Sequence, residues 1–103
     1  MTTMLHLVNK SPGERNSLDS CLRLAKAGSA VLLLEDGVYA AMANATSAEA
    51  VTACMGKLIF YVLGPDVSAR GLDDVPLLDG INVVDYGGFV DLVVEHDTAQ
   101  SWL

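Results

Sequence analysis

The sequence predicts a single α/β domain in which helices cover both faces of a mostly parallel sheet. Residues 30–34 are five consecutive apolar or small residues that end in Glu35, Asp36 and Gly37, as is typical of a strand buried on both faces. A strand and a helix precede this run and complete a βαβ unit with a right-handed crossover. With 103 residues the chain is large enough for one core and too small for a second domain, so residues 1–103 are predicted to form one domain.

The composition indicates a cytoplasmic protein with an excess of apolar surface. Apolar residues make up 51% of the chain and the mean hydropathy is +0.38, so we expect part of the surplus in subunit interfaces. No apolar run approaches the roughly 18 residues needed to cross a bilayer, and the amino terminus lacks the basic segment of a signal peptide. A net charge of −7 with six Lys and Arg disfavours direct binding to nucleic acid or to an anionic membrane.

Strand and helix signals alternate along the chain. Strands are predicted at residues 5–9, 30–34, 57–63 and 81–85, the last being the final clear strand. Helices are predicted up to Gly28, from a Thr46–Glu49 capping box to Gly56, over residues 65–71, and after Tyr86. The small apolar residues 38–43 are compatible with either a bent strand or a tightly packed helix.

Three further residues carry specific expectations. His6 is interpreted as a strand residue with a hydrogen-bonded ring, and Arg70 as an ordinary ion-pairing residue in an acidic molecule. An apolar terminus that ends on Trp102 and Leu103 predicts docking, either onto this domain or onto a neighbour.

Glu35, Asp36 and Gly37 are expected at the carboxyl edge of the sheet, where ligands and partners meet open α/β sheets. The simpler interpretation is that Asp36 and Gly37 form a solvated turn. We predict a partner-facing surface rather than a catalytic acid pair, because neighbouring side chains on a strand point to opposite faces.

The two cysteines, Cys21 and Cys54, are expected as free thiols because disulfides are rare in the cytosol. They form no Cys-x-x-Cys pair and have no histidine at metal-ligand spacing, so no metal site is expected. Cys54, near the carboxyl end of its helix, is interpreted as inert packing because the dipole there disfavours a thiolate.

Cys21 is the thiol whose reactivity depends on where the first helix begins. A start at Ser11, completed by Pro12 and Glu14, places Cys21 deep in the helix, and this start is favoured. A later start at Asn16 brings the thiol near the amino-terminal turn, where the helix dipole lowers its pKa.

Motifs for nucleotide cofactors and for common hydrolases are missing. The first strand-to-helix turn has one glycine where a dinucleotide fingerprint requires three, and there is neither a phosphate-binding loop nor a Gly-x-Ser-x-Gly elbow. We therefore expect no cofactor.

Two motifs, with shorter matches over nearly the whole chain, resemble the DsrH/TusB family. The first is His-x-Val-Asn-Lys-Ser-Pro at residues 6–12, and the second is Glu-Asp-Gly-x-Tyr-Ala-Ala at residues 35–41. The shorter matches are Glu14–Leu18, Ser20–Leu22, Tyr61–Asp66, Ala69–Gly71, Val84–Tyr86, Phe89–Val90 and Trp102.

This resemblance implies a flavodoxin-like fold and a cytoplasmic heterohexamer with DsrE-like and DsrF-like subunits. It also implies transfer of sulfur, as a cysteine persulfide, to a DsrC- or TusE-like carrier protein. Cys21 matches the cysteine of the DsrH type, which favours dissimilatory sulfur oxidation, with the TusB-type relay for tRNA 2-thiouridine as the alternative. In the family the principal sulfur-accepting cysteine belongs to another subunit, so this chain is expected either to carry sulfur on Cys21 or to act only as a structural partner.

Overall fold

The computed structural model describes residues 4–11, 17–96 and 98–102. Within these residues the strands are β1 (Met4–Val8), β2 (Ala30–Leu33), β3 (Ile59–Leu63), β4 (Asn82–Val84) and β5 (Thr98–Trp102). The helices are α1 (Ser17–Leu24), α2 (Ala48–Ala53), α3 (Gly64–Ala69) and α4 (Tyr86–Glu95), with a 3-10 helix at Glu35–Ala41.

The five strands form one sheet in the order β4-β3-β2-β1-β5, and every neighbouring pair is parallel. The predicted α/β fold class is thereby confirmed. From β1 to β4 each new strand is added on the same side, whereas β5 returns to the free side of β1. Because crossovers in such sheets are right-handed, this reversal places α4 on the face opposite to α1, α2 and α3.

The face under α1, the 3-10 helix, α2 and α3 holds the larger core. Val8, Val31 and Phe60 alternate with residues of the other face, so all three point towards these helices. They pack against apolar side chains of α1, the 3-10 helix, α2 and α3, including Leu18, Cys21, Leu22, Val38, Ala41, Val51 and Val67.

The opposite face has a smaller core built on α4. Leu92 of α4 packs with Leu5 of β1 and Leu32 of β2. Elsewhere on this face Ile59 is half exposed, and α4 also exposes Val90 and Val94. Helices therefore lie on both faces, and among the described elements α4 is the one that covers the second face.

Several predicted elements have different limits in the structure. Strand β5 was not predicted: it is polar and largely exposed, and its pairing with β1 defines it. The ambiguous residues 38–43 lie mostly in the 3-10 helix. The first helix ends at Leu24, and Gly28 adopts the left-handed conformation (φ +90°) in the turn that follows.

The predicted Thr46–Glu49 capping box is wrong, because α2 begins at Ala48 and Ser47 rather than Thr46 occupies the capping position. The Ser47 side chain makes no capping hydrogen bond, and its buried hydroxyl has no partner among the described residues. Helix α4, in contrast, is capped by Asp85, whose carboxylate accepts a hydrogen bond from the Gly88 amide at 2.8 Å. The predicted starts of the first helix depend on residues 12–16, which lie outside the described residues, and Ser11 itself is not helical.

Candidate functional site

The loop after β2 lies at the carboxyl edge of the sheet, as predicted. Glu35 begins the 3-10 helix with a φ of +49°, a left-handed conformation that is costly for a residue with a side chain. Its amide donates a hydrogen bond of 2.6 Å to the Asp66 carboxylate at the start of α3. This hydrogen bond joins the start of the 3-10 helix to the start of α3 and helps to hold the Glu35 backbone in its strained conformation.

Asp36 and Arg70 join the same two segments through their side chains. Arg70 Nε donates to Asp36 Oδ1 at 3.0 Å, and Nη1 lies 3.5 Å from the Asp66 carbonyl oxygen. The prediction of Arg70 as an ion-pairing residue is confirmed. Since both side chains are partly exposed, the pair contributes about 1 kcal/mol or less to stability.

Gly37 brings the 3-10 helix against the end of β1. A Cβ at this position would lie 2.0 Å from the Val8 carbonyl oxygen, a distance that no side chain tolerates. The chain therefore requires glycine here for close backbone approach rather than for an unusual dihedral angle.

These contacts make the carboxyl edge a fixed, acidic surface. Glu35 is exposed, and Asp36 and Asp66 are half-buried beside it. The strand argument used to separate the two adjacent carboxylates does not apply, because Glu35 and Asp36 belong to a 3-10 helix. Instead, the ion pair to Arg70 occupies Asp36 and leaves the Glu35 side chain facing solvent.

Cys21 lies far inside the covered face rather than at this edge. Its side chain is 0% exposed and packs in the larger core, with Cys54 partly buried against the same cluster. Both cysteines are free thiols. Within the described ranges no three metal-ligating side chains come together, and the two cysteines do not form part of such a group.

The pKa of the Cys21 thiol is raised to about 12, chiefly by burial and also by the nearby Cys54 thiol, with Lys57 acting in the opposite direction. At pH 7 the thiol is therefore almost entirely protonated. Attack on an incoming sulfur requires the thiolate and access to it, and in this conformation Cys21 has neither. Of the two possibilities for Cys21, a sulfur carrier or a thiol that only packs in the core, the geometry favours the second.

His6 and Trp102 form a pair that sequence reasoning did not anticipate. Trp102 docks onto its own domain as the last residue of β5, and its Nε1–H donates to His6 Nδ1 at 3.0 Å. The expectation of a hydrogen-bonded His6 ring is met at Nδ1 only, since Nε2 is buried with no partner in the described part of the chain. The residues are 96 positions apart, so only the pairing of β1 with β5 reveals the contact.

The fold and the two motifs define a known family. The chain matches the family described as DsrH like protein over residues 10–99. It also aligns with curated proteins over 99 residues, which is 96% of this chain and 100% of each relative. The chain belongs to the DsrH/TusB family.

Three curated relatives carry the name Protein TusB. They come from Pectobacterium parmentieri, Erwinia tasmaniensis and Shigella flexneri and are 37%, 39% and 36% identical to this chain, respectively. These names favour the TusB-type alternative over the dissimilatory sulfur oxidation that Cys21 led us to expect.

Solved structures agree with the fold. The ychN protein from E. coli superposes with a TM-score of 0.84 at 16% identity, covering 98% of this chain and 99% of the other. MTH1491 from Methanobacterium thermoautotrophicum, a protein of unknown function, gives a TM-score of 0.75 at 21% identity, with 97% of both chains covered. In the described part of this chain, no helix is both long and apolar enough to span a membrane.

Proposed function

We propose that this chain is the TusB-type subunit of a cytoplasmic sulfur relay that supplies sulfur for tRNA 2-thiouridine. The observation that carries the proposal is its full-length similarity to proteins named TusB. Dissimilatory sulfur oxidation is the second candidate, favoured by Cys21 at the position of the DsrH cysteine.

In this proposal the chain acts as a structural partner, and a cysteine on a related subunit carries the persulfide. The burial of Cys21 and its raised pKa support this role, because a persulfide carrier must present a thiolate to its donor. A sulfur-carrying Cys21 stays a prediction that requires the surrounding helix to move and expose the thiol.

Two surfaces are proposed for assembly. The α4 face is defined here by Ile59, Val90, Val93 and Val94, whose apolar side chains are between 43% and 78% exposed. We assign this face to the DsrE-like and DsrF-like subunits of a heterohexamer, since an interface core is apolar. The acidic carboxyl edge around Glu35 is assigned to the TusE-like carrier protein.

The sulfur test uses the intact complex, because the relay needs its subunits together. After incubation with a persulfide donor, each subunit is weighed by mass spectrometry. We expect the added 32 Da of one sulfur atom on a related subunit, and none on this chain. Sulfur on this chain that disappears in Cys21→Ser but persists in Cys54→Ser would make it a carrier and overturn the structural role.

The assembly test places a charge on the α4 face. Val94→Asp should release this chain from the co-expressed complex in size-exclusion chromatography, because a carboxylate buried without a partner strongly opposes association. Thr52→Asp is the matched control, since Thr52 is also exposed in the last turn of a helix, on the other face. Retention of the Val94→Asp chain would remove the α4 face from the interface.

The biological role is tested in cells that lack their TusB-type gene. Expression of this chain with its partner subunits should restore 2-thiouridine, measured by mass spectrometry of digested tRNA. A complex that assembles normally, yet restores no 2-thiouridine and instead supports sulfur oxidation in a suitable host, would favour the second candidate.

A further inference from the structure

A cavity of about 330 Å³ lies beside α1 on the covered face, over β1 and β5. Its walls are Met4, His6, Leu24, Lys26, Ser29, Gln100 and Trp102. The volume falls within the range of small-ligand sites in proteins. It is separate from the acidic carboxyl edge, and no role of the chain described above involves it.

The hydrogen bond from Trp102 determines which nitrogen of His6 carries the proton. Because Trp102 Nε1 can only donate, His6 Nδ1 must be the acceptor, so the neutral ring carries its hydrogen on Nε2. Burial also lowers the pKa of His6 and thereby favours the neutral form.

The Nε2–H group is therefore a donor without an acceptor among the described residues. His6 is only 3% exposed and lines the cavity. An unpaired buried donor costs roughly 1–3 kcal/mol, which an acceptor group placed against it would recover.

The charged and polar groups around the cavity favour a negatively charged ligand. The whole chain has 13 Asp and Glu against six Lys and Arg, yet the charged side chain among the described lining residues is Lys26. Ser29 and Gln100 add further donor groups, whereas Met4, Leu24 and Trp102 provide apolar walls.

We propose that this cavity binds a small amphipathic carboxylate. The carboxylate faces the ammonium group of Lys26. It accepts from the Nε2–H of His6 once the side chains that close this atom off from solvent move aside. A short apolar portion packs against Met4, Leu24 and the Trp102 ring. This site is independent of the sulfur relay proposed above, and either proposal can fail without the other.

The probe is the indole of Trp102, the one tryptophan of the chain. The full chain, together with any subunits that co-purify with it, is labelled with 5-fluorotryptophan, and the Trp102 signal is assigned by its loss in Trp102→Phe. Butyrate should shift this fluorine resonance in a saturable manner. Butyramide, which has the same shape without the charge, and sulfate, which lacks the apolar portion, should shift it much less.

Two lysine variants locate the charge. Lys26→Met should weaken butyrate binding about two- to fivefold, as expected for one exposed ion pair. Lys10→Met changes the net charge identically at the other end of β1 and should leave the affinity unchanged. Since Lys26 is exposed, its variant should fold even if substitution of the buried His6 does not.

Three results would overturn the proposal. The first is no saturable shift with butyrate, and the second is an equal response to butyramide, which would indicate apolar binding without carboxylate recognition. The third is equal weakening by the two lysine variants, which would reduce the effect to net charge. A stronger response to sulfate than to butyrate would assign the site to an inorganic oxyanion instead.

Discussion

The two faces of the sheet differ in how much of their apolar surface is covered within the chain. On one face, α1, the 3-10 helix, α2 and α3 enclose side chains such as Phe60 and Val62, which are almost completely buried. On the other face, α4 is the one element of the described chain that packs onto the strands, and Val90, Val93 and Val94 of this helix are left exposed to solvent. The first face therefore accounts for most of the stability of the fold, and the second has surface left for association.

The largest expected effect compares one residue from each face. Phe60→Ala should lower the free energy of unfolding by about 3–5 kcal/mol, because it opens a cavity in the covered core. Val94→Ala, on the exposed side of α4, should change it by less than about 0.5 kcal/mol. Urea unfolding of both variants, followed by circular dichroism, measures the difference, and equal losses would contradict this division between the faces.

A smaller effect is expected where the covered face meets the carboxyl edge. Gly37→Ala should destabilise the chain by about 1–3 kcal/mol, because the new Cβ forces the 3-10 helix away from Val8. Gly56→Ala is the control, since a Cβ there meets nothing within 4 Å and φ is not positive. That variant should be neutral or slightly stabilising in the same urea titration. A Gly37→Ala protein as stable as the Gly56→Ala protein would show that the close approach to Val8 is not required.

The burial of the Cys21 thiol predicts a loss of stability at alkaline pH. The unfolded chain releases this proton near pH 9 and the folded chain near pH 12, so the unfolded state binds fewer protons between these values. The free energy of unfolding should consequently fall as pH rises above 9, by roughly 1 kcal/mol at pH 10 for this group. Comparing the pH dependence of wild type and Cys21→Ala isolates that contribution, and identical slopes would mean that the thiol is accessible.

The smallest effect concerns the half-exposed ion pair between Asp36 and Arg70. Asp36→Asn should cost about 0.2–1 kcal/mol and less at high salt, because the pair is screened by solvent. Arg70→Gln should cost a similar amount, and the double variant little more than either. Docking is tested at the exposed Glu35 instead. Glu35→Gln should weaken binding of the carrier protein if the acidic edge is its docking surface, and unchanged binding in that variant would argue against the assignment.

Much of this fold could be predicted because strands β1 to β4 carry strong local signals in the sequence. The run 30–34 is apolar enough to be read as a buried strand, and it forms β2. The segment Thr98–Trp102 has no such pattern, since it is polar, and its strand conformation comes from pairing with β1. Local sequence cannot report a conformation that a distant partner imposes.

The candidate site could be predicted only in part, for similar reasons. The dipeptide Asp36-Gly37 correctly marked the carboxyl edge, because turn residues end strands. The requirement for Gly37 was hidden, since it arises from the backbone of Val8. The burial of Cys21 agrees with the spacing of Leu18, Cys21 and Leu22, which is typical of the helix face turned to a sheet. The cavity beside His6, in contrast, depends on residues at opposite ends of the chain.

The pairing of β1 with β5 also affects how the chain folds during translation. Strand β1 is made first, but one of its edges stays unpaired until residues 98–102 leave the ribosome. Pairings between such distant residues form slowly, and an open strand edge beside apolar side chains favours aggregation in the nascent chain. The subunits that we expect to cover α4 would shield its apolar residues while β1 waits for β5. Co-expression with these subunits should therefore yield more folded protein than expression of the chain alone.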